Sequence, residues 1–215
     1  MQLNHKTPPF FITFEGGDGA GKSTQIELLS SFLKNQQIDH LVTREPGGTS
    51  NAEKLRNLLL DTAKNWDPVS EAFLMAAARR DHLKHVIWPA LREKKWVLCD
   101  RFSDSTLAYQ GYGHGLGKEF ITTLNHLTMG DFSPSLTFIF RLPFHEGMKR
   151  KKKLKDRFES FDPSFHRKAL AAFDLLCQEN PKRCIAIDGS QSIEEIRSII
   201  QGHITSHCFS TAIES

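Results

Sequence analysis

The sequence has few cysteines, and neither they nor the histidines are spaced as metal ligands. Its four cysteines, Cys99, Cys177, Cys184 and Cys208, contain no CxxC pair, and its ten histidines contain no HExxH array. Zinc sites usually depend on ligands at such short spacings, and intracellular proteins seldom carry structural disulfides. We therefore expect free thiols and no metal site built from Cys and His side chains.

Long apolar runs are also missing. The opening stretch MQLNHKTPPFF carries a lysine and two prolines and has no apolar run of signal or membrane-spanning length, so we expect a cytoplasmic protein. A net charge of +3 suits acidic small ligands as well as nucleic acid and does not decide between them. The 215 residues contain no repeat and no low-complexity linker, which indicates a single domain over 1–215.

Five short apolar segments alternate with longer segments of helical periodicity. Each short segment has the length and the β-branched or aromatic content of a buried strand. The predicted strands are 10–14, 40–43, 96–100, 136–140 and 184–188. Because strands separated by helices need crossover connections, we predict a three-layer α/β fold with a five-stranded, mostly parallel sheet flanked by helices.

The first predicted strand runs directly into a glycine-rich loop. In the segment EGGDGAGKST, Gly16, Gly21, Lys22 and Ser23 satisfy the G-x-x-x-x-G-K-[ST] pattern, and a helical segment follows. Such a loop directs backbone N–H groups at phosphate oxygens, with the lysine on the β- and γ-phosphates and the Ser23 hydroxyl on Mg²⁺. The predicted nucleotide-binding residues are Gly16, Gly17, Asp18, Gly19, Ala20, Gly21, Lys22, Ser23 and Thr24. The pattern leaves the reaction open, since ATPases, GTP switches and small-molecule kinases share it.

A carboxylate and a guanidinium follow each other at the end of the third predicted strand. Asp100 ends the strand and Arg101 comes next, so both should lie at the carboxyl edge of the sheet, where ligands bind in such folds. Asp100 can orient Mg²⁺ and its waters together with Ser23, and Arg101 can clamp the phosphates being joined. An ordinary surface ion pair is the alternative interpretation.

Several longer segments, in this order, resemble the thymidylate kinase family. They are FEGGDGAGKSTQ, TREPGGT, AAARRDHL, DRFSDSTLAYQG and DRFE followed by FHRKAL, and they extend over most of the chain. The resemblance implies the P-loop NTPase fold, ATP and Mg²⁺ as cofactors, and phosphorylation of thymidine monophosphate (dTMP) as a step in dTTP synthesis. It also implies a homodimer with no nucleic-acid or membrane partner.

The resemblance also implies an acceptor site, position by position. Arg56 and Arg101 would hold the 5′-phosphate of dTMP, and Asp18 would lie near the sugar 3′-hydroxyl. Tyr109 would press on the 2′ carbon and so favour deoxyribose. The thymine edge would be bound by Arg79, Thr106 and Gln110. The peptide bond before Pro46 corresponds to a family position at which a cis bond shapes the acceptor pocket.

A run of cations follows the fourth predicted strand. The segment KRKKKLKDR is compatible with a solvated helix face, an RNA contact or a catalytic lid, and the resemblance favours a lid at about 143–160. The loop has Gly19 where one branch of the family has arginine, and the other branch brings its catalytic cation from the lid. Arg150 and Arg157 are therefore predicted to act with Lys22 and Arg101, because a guanidinium offers a fork where lysine offers a point charge.

Two positions depart from the family pattern. The family usually stacks a Phe at position 75 on thymine, whereas this chain has Met75 and a Phe73 that would point nearly the opposite way on a helix. We expect Met75 to make a softer thioether contact and to bind the base less tightly than a ring would. Arg141 stands where the family commonly has Asp, and nothing in the sequence explains that change.

Three other functions compete with this interpretation. A P-loop regulatory switch should carry a guanine-reading NKxD element, which the sequence lacks. An RNA-binding protein using the lysine run should carry an aromatic platform or a known RNA module, and neither is recognisable. Another nucleoside monophosphate kinase is the nearest alternative, because the base contacts rest on the resemblance.

Overall fold

The structure is a computed structural model, which describes residues 8–150 and 157–210, without the side chains of 208–210. Residues 151–156, which belong to the predicted lid at about 143–160, lie outside the described residues, as does the Cys208 side chain. Cys99, Cys177 and Cys184 are free thiols, as predicted. Within the part of the chain that is described, no helix combines the length and the apolar character needed to cross a bilayer.

One parallel sheet of five strands forms the centre of the fold, which confirms the predicted α/β class. The strands are β1 (Phe11–Gly16), β2 (His40–Arg44), β3 (Trp96–Asp100), β4 (Leu136–Arg141) and β5 (Cys184–Asp188). Their order is β2-β3-β1-β4-β5, with every neighbouring pair parallel. The strand order reverses beside β1, and ligands of such sheets bind at the carboxyl ends of the strands at that point.

Helices occupy both faces of the sheet. They are α1 (Lys22–Asn35), α2 (Ser50–Leu60), α3 (Pro68–His82), α4 (Trp88–Arg92), α5 (Ser103–Thr106), α6 (Lys118–Met129), α7 (Phe144–Arg150), α8 (Pro163–Glu179) and α9 (Ile193–Ser210). Side-chain caps determine where three of these helices begin. The side chains of Thr49, Asp67 and Asp162 accept hydrogen bonds from backbone N–H groups in the first turns of α2, α3 and α8. The segment 70–94 has helical periodicity throughout, but its helix is interrupted, since a π-helical turn at Leu83–Ile87 separates α3 from α4 next to Pro89.

The alternation of side chains along β1 builds two apolar layers. Ile12 and Phe14 pack with residues of α1 and α9, including Leu29 and Ile200, on one face of the sheet. Phe11 points to the other face and joins residues that follow α3. Because all six residues of β1 are buried, the strand is fixed on both sides and its carboxyl end is rigidly placed.

Candidate active site

The loop between β1 and α1 is held in a conformation that depends on its glycines. Gly19 has a φ of +71°, and a Cβ added there would overlap the carbonyl oxygen of Gly147 in α7. A Cβ on Gly147 would in turn overlap the carbonyl oxygen of Asp18. The phosphate loop and the start of the predicted lid therefore touch backbone to backbone, which only two glycines allow.

Lys22 lies at the first position of α1 and is almost fully buried. Its Nζ donates hydrogen bonds to the carbonyl oxygens of Gly16, at 3.1 Å, and Gly17, at 2.7 Å. Burial, assisted by the nearby charge of Arg101, lowers the pKa of Lys22 to about 8. The ammonium group is thus held inside the loop by backbone carbonyls, at the place where the predicted phosphates would supply a stronger partner.

Asp100 and Ser23 form a pair of oxygen ligands beside the loop. The Ser23 hydroxyl donates to Oδ2 of Asp100 at 3.3 Å, and Oδ1 of Asp100 is buried without a hydrogen-bond partner among the described residues. The described residues contain no cluster of three or more His, Cys, Asp or Glu that could cage a metal. Mg²⁺ usually takes one or two protein oxygens and keeps substrate phosphates and water as its other ligands, so this pair fits Mg²⁺.

Arg101 bridges the phosphate loop and the segment that follows β3. Its Nη1 donates to the carbonyl oxygen of Gly16 at 2.9 Å and to Oγ of Ser105 at 3.2 Å, and its Nη2 donates to Oδ1 of Asp18 at 2.5 Å. The guanidinium also lies over the ring of Tyr109, with 5.2 Å between its carbon and the ring centroid. The predicted phosphate clamp is therefore anchored on both sides of the gap that two phosphates would fill.

Arg79 projects from α3 into a buried polar cluster. Its Nε donates to Oε2 of Glu45 at 2.8 Å and its Nη2 donates to Oγ1 of Thr106 at 2.8 Å. Glu45 is also bound by Nδ1 of His82 at 3.1 Å, and its peptide bond to Pro46 is cis, as predicted. Since a guanidinium carries five N–H groups, Arg79 keeps donors for a ligand after these contacts.

Most of the predicted site residues meet at one cavity of about 910 Å³. Those that line it are Asp18, Gly19, Ala20, Gly21, Lys22, Ser23, Thr24, Arg56, Met75, Arg79, Asp100, Arg101, Thr106, Tyr109, Gln110 and Arg150. Gly16 and Gly17, at the start of the loop, form no part of the wall. Phe73 is 54% exposed and packs on Phe120, whereas Met75 faces the cavity, so the predicted opposition of these two side chains is confirmed.

Comparison with known proteins identifies this arrangement. The family model for thymidylate kinase matches residues 14–200. The chain is 50% identical over 186 residues to a thymidylate kinase of Afipia carboxidovorans, covering 84% of this chain and 82% of the relative. It is 44% identical over 197 residues to one of Caulobacter vibrioides, covering 90% and 95%. The crystal structure of thymidylate kinase from Ehrlichia chaffeensis matches with a TM-score of 0.76 at 36% identity, over 92% of this chain and 98% of that one.

The chain belongs to the thymidylate kinase family. That membership confirms the resemblance and explains why a phosphate loop and a second set of arginines share one cavity: a kinase must hold two phosphorylated substrates end to end.

The two lid arginines of this thymidylate kinase family member lie in different places. Arg150, at the end of α7, lines the cavity, and its Nη1 donates to the carbonyl oxygen of Gly189 at 2.8 Å. Arg157 is buried away from the loop: it pairs with Glu71 and donates to the carbonyl oxygen of Leu59 at 2.9 Å. The structure therefore brings Arg150, and not Arg157, to the wall of the cavity.

The structure also adds wall residues that sequence reasoning missed. Leu60 and Phe158 line the cavity beside the acceptor residues, and Gly189, Gln191, Ile193 and Ile196 line it beside Arg150. Strand β5 ends at Asp188, so the rule that ligands meet the carboxyl ends of strands could have pointed to the latter group. Arg141, unexplained before, pairs with Asp174 of α8 at 2.6 Å, which is a structural role outside the cavity.

Glu15 supports Arg101 from below and is fully buried. It accepts the backbone N–H of Phe102 at 2.8 Å and the hydroxyl of Ser105 at 2.5 Å, and Ser105 in turn accepts from Arg101. Burial, with the charge of Asp104 second, raises the pKa of Glu15 from 4.5 to about 7. A carboxyl group that titrates near neutral pH thus lies directly beneath the phosphate clamp.

Replacing Glu15 with Gln should change how stability depends on pH. The native state of the wild type binds more protons than the unfolded state between pH 4.5 and about 7, so its stability should fall as the pH rises through that window. The amide cannot ionise, so the variant should gain about 3 kcal/mol relative to the wild type between pH 4.5 and 8. Urea unfolding across this range measures the difference, and parallel pH curves for the two proteins would contradict the raised pKa.

Proposed function

We propose that the chain transfers the γ-phosphoryl group of ATP to the 5′-phosphate of dTMP, giving ADP and thymidine diphosphate. The observation that carries the proposal is the single cavity in which the phosphate loop faces Arg56, Arg79, Arg101 and Gln110. The O–P bond between the β- and γ-phosphates breaks while an oxygen of the dTMP phosphate bonds to the γ-phosphorus. No proton has to be removed from a phosphate oxygen that is already ionised, so positioning and charge stabilisation carry the catalysis.

The donor half of the site is the loop from Gly16 to Ser23. Its backbone N–H groups surround the phosphates of ATP, and Lys22 turns its ammonium from the Gly16 and Gly17 carbonyls to the β- and γ-phosphate oxygens. Ser23 and Asp100 hold Mg²⁺, which neutralises phosphate charge when bound. The adenine end of ATP occupies the part of the cavity near Ile193 and Ile196, where apolar side chains suit a base.

The acceptor half is centred on Arg101. Arg101 and Arg56 hold the 5′-phosphate of dTMP, with Arg56 fixed by its bond to the Pro46 carbonyl oxygen at 2.8 Å. Asp18 lies near the sugar 3′-hydroxyl, and Tyr109 packs against the 2′ carbon. Arg79, Thr106 and Gln110 bind the thymine edge, and Met75 covers its face. These roles are those that the family resemblance implies, and their support here is that all of these side chains line the same cavity.

The transferred phosphoryl group also needs a cation of its own, because Gly19 supplies none. Arg150 is the stronger candidate, since its guanidinium lines the cavity. Arg157 could supply this cation only by breaking its ion pair with Glu71 when both substrates bind. Arginines in this role contribute about 10³- to 10⁵-fold to kcat in related phosphoryl transfer.

The test is a coupled assay of ADP release with a panel of nucleoside monophosphates. We expect dTMP to be turned over far better than uridine, cytidine or adenosine monophosphate, because the base-edge residues and the Tyr109 ring suit a deoxyribonucleotide of thymine. Equal or better turnover of one of the others would instead favour a different nucleoside monophosphate kinase. Omitting dTMP gives the background ATPase rate as the control.

Replacing Met75 with Phe should tighten dTMP binding. Met75 lines the cavity, and a ring at that position could stack on the base, which is worth about 0.5–1.5 kcal/mol beyond area burial. We expect the KM for dTMP to fall about 2- to 10-fold while the KM for ATP, measured in the same assays, stays constant. An unchanged or higher KM for dTMP would show that the base does not lie against this side chain.

We further propose that residues 1–215 act as one catalytic domain in the cytoplasm, with Mg²⁺-ATP as donor.

We also propose that the chain forms a homodimer. The dimer surface combines α3 and α6, where Phe73 is 54% and Leu127 is 77% exposed. The double change of Phe73→Glu and Leu127→Lys should convert a dimer to a monomer in light scattering. The change Leu175→Glu, at an exposed position of α8, is the control, and a wild-type monomer would contradict the dimer.

A further inference from the structure

Glu71 is a buried carboxylate that the mechanism above does not use. It lies on α3 one turn before Met75 and two turns before Arg79, on the same face of the helix, and its side chain is fully buried. Burying a charged group without partners is costly, so its contacts should explain its presence. Those contacts lead directly to a base-reading side chain.

Three donors converge on this carboxylate. Oε1 accepts from Nε2 of Gln110 at 2.7 Å and from Nε2 of His114 at 3.1 Å, and Oε2 accepts from Nη2 of Arg157. Burial acts to raise the pKa of Glu71, but the hydrogen bonds from His114, Arg157 and Gln110 outweigh it and leave the pKa below its ordinary value. Glu71 is therefore a carboxylate, which can only accept hydrogen bonds.

That polarity decides how Gln110 is oriented. An amide can turn either its NH₂ group or its oxygen toward a neighbour, and a carboxylate neighbour accepts only the NH₂ group. With Nε2 on Glu71, Oε1 is the amide atom left for a ligand, and it accepts no bond from the described residues. Gln110 lines the cavity, so an acceptor, and not a donor, is presented to the base.

We infer that Glu71 is a positioning residue that sets the base specificity of the site by locking the amide of Gln110 with its oxygen toward the bound base. The inference rests on the proposed function. Thymine and uracil carry an N–H group at ring position 3, which matches that oxygen. Cytosine has an unprotonated nitrogen there, whose lone pair would face Oε1 and leave both groups unsatisfied, so the site selects imide pyrimidines.

The change Glu71→Gln removes the lock while keeping the size of the side chain. An amide at position 71 can accept or donate, so Gln110 can turn over and offer its NH₂ group to cytosine. We expect the ratio of kcat/KM for dTMP to that for deoxycytidine monophosphate to fall about 10- to 100-fold. The change in this ratio is the quantity to measure, because it cancels any preference between the two bases that the other wall residues give to both proteins.

A second variant restores the lock with the roles reversed. In the double variant Glu71→Gln, Gln110→Glu, the amide at 71 donates to the carboxylate at 110, whose other oxygen faces the base as an acceptor. The charge of the cluster is unchanged, so this variant should fold even if the single variant is unstable. It should recover most of the lost preference for dTMP. The exposed change Glu93→Gln is the matched control and should leave the ratio as in the wild type.

The results distinguish a failure of the inference about Glu71 from a failure of the proposed function. If Glu71→Gln lowers the turnover of both substrates equally and the double variant gives no recovery, Glu71 is only structural and the inference is overturned. If the wild type does not prefer dTMP in the first place, the proposed function fails and the inference fails with it. A selective loss that the double variant repairs supports both.

Discussion

Replacing Lys22 with Met is expected to lower kcat by about 10²- to 10³-fold, the usual effect of removing one fixed donor from developing charge. The side chain is buried and its ammonium points into the loop, so the variant loses both the charge and the two hydrogen bonds to the carbonyl oxygens of Gly16 and Gly17. Methionine fills much of the same volume without a donor. Steady-state rates with saturating ATP and dTMP measure the change.

The matched control for Lys22 is Lys34→Met, at the exposed end of the same helix. It should leave kcat unchanged and the melting temperature nearly so.

The lowered pKa of Lys22, about 8, predicts a pH dependence in the wild type. The kcat/KM for ATP should fall as the pH rises through that value, because Lys22 of the free enzyme then loses its charge. Full activity of the Met variant would exclude the proposed donor site.

Removing the side chain of Arg101 should lower kcat/KM for dTMP by about 10³-fold or more, because this group bridges both phosphates in the proposed complex. Its anchors on Gly16, Ser105 and Asp18 fix the position of the guanidinium group. The backbone of Arg101 allows the loss of the side chain to be separated from backbone strain. Its φ is +67°, in the left-handed region that favours glycine.

Two variants, Arg101→Ala and Arg101→Gly, should therefore be equally inactive but differ in stability. Alanine keeps the backbone strain and glycine relieves it, so the Gly variant should be at least as stable in urea despite its more flexible unfolded chain. Activity in either variant above a few per cent of the wild type would contradict the clamp. A clearly more stable Ala variant would contradict the strained backbone.

Much of the fold could be predicted because its strands are uniformly apolar. Each predicted strand agrees with the structure to within two residues, since buried parallel strands give continuous apolar runs. Helix α5 gives no periodic signal because its four residues are polar and nonetheless buried, and three of them, Asp104, Ser105 and Thr106, bond to polar partners. Short α7 is not apparent in the sequence because its seven residues, about two turns, are too few for a periodic signal.

Some residues of the site could also be predicted from the sequence and others could not. The phosphate loop, Asp100 and Arg101 could be predicted from local pattern, because neighbouring residues perform one function. Glu15 and Glu71 could not, since each supports a partner far away in sequence, Ser105 in one case and Gln110 in the other. Single-sequence patterns carry no information about such pairs. The same limit applies to Arg157, whose partner Glu71 lies on another helix.

The backbone contact between Gly19 and Gly147 links the residue type at position 19 of the loop to the path of α7. A side chain at either position would force the loop and α7 apart. A chain that places an arginine in the loop at this point must therefore also begin its lid along a different path. The loop and α7 therefore have to move together, and grafting a loop arginine at position 19 into this protein alone should yield a misfitted hybrid.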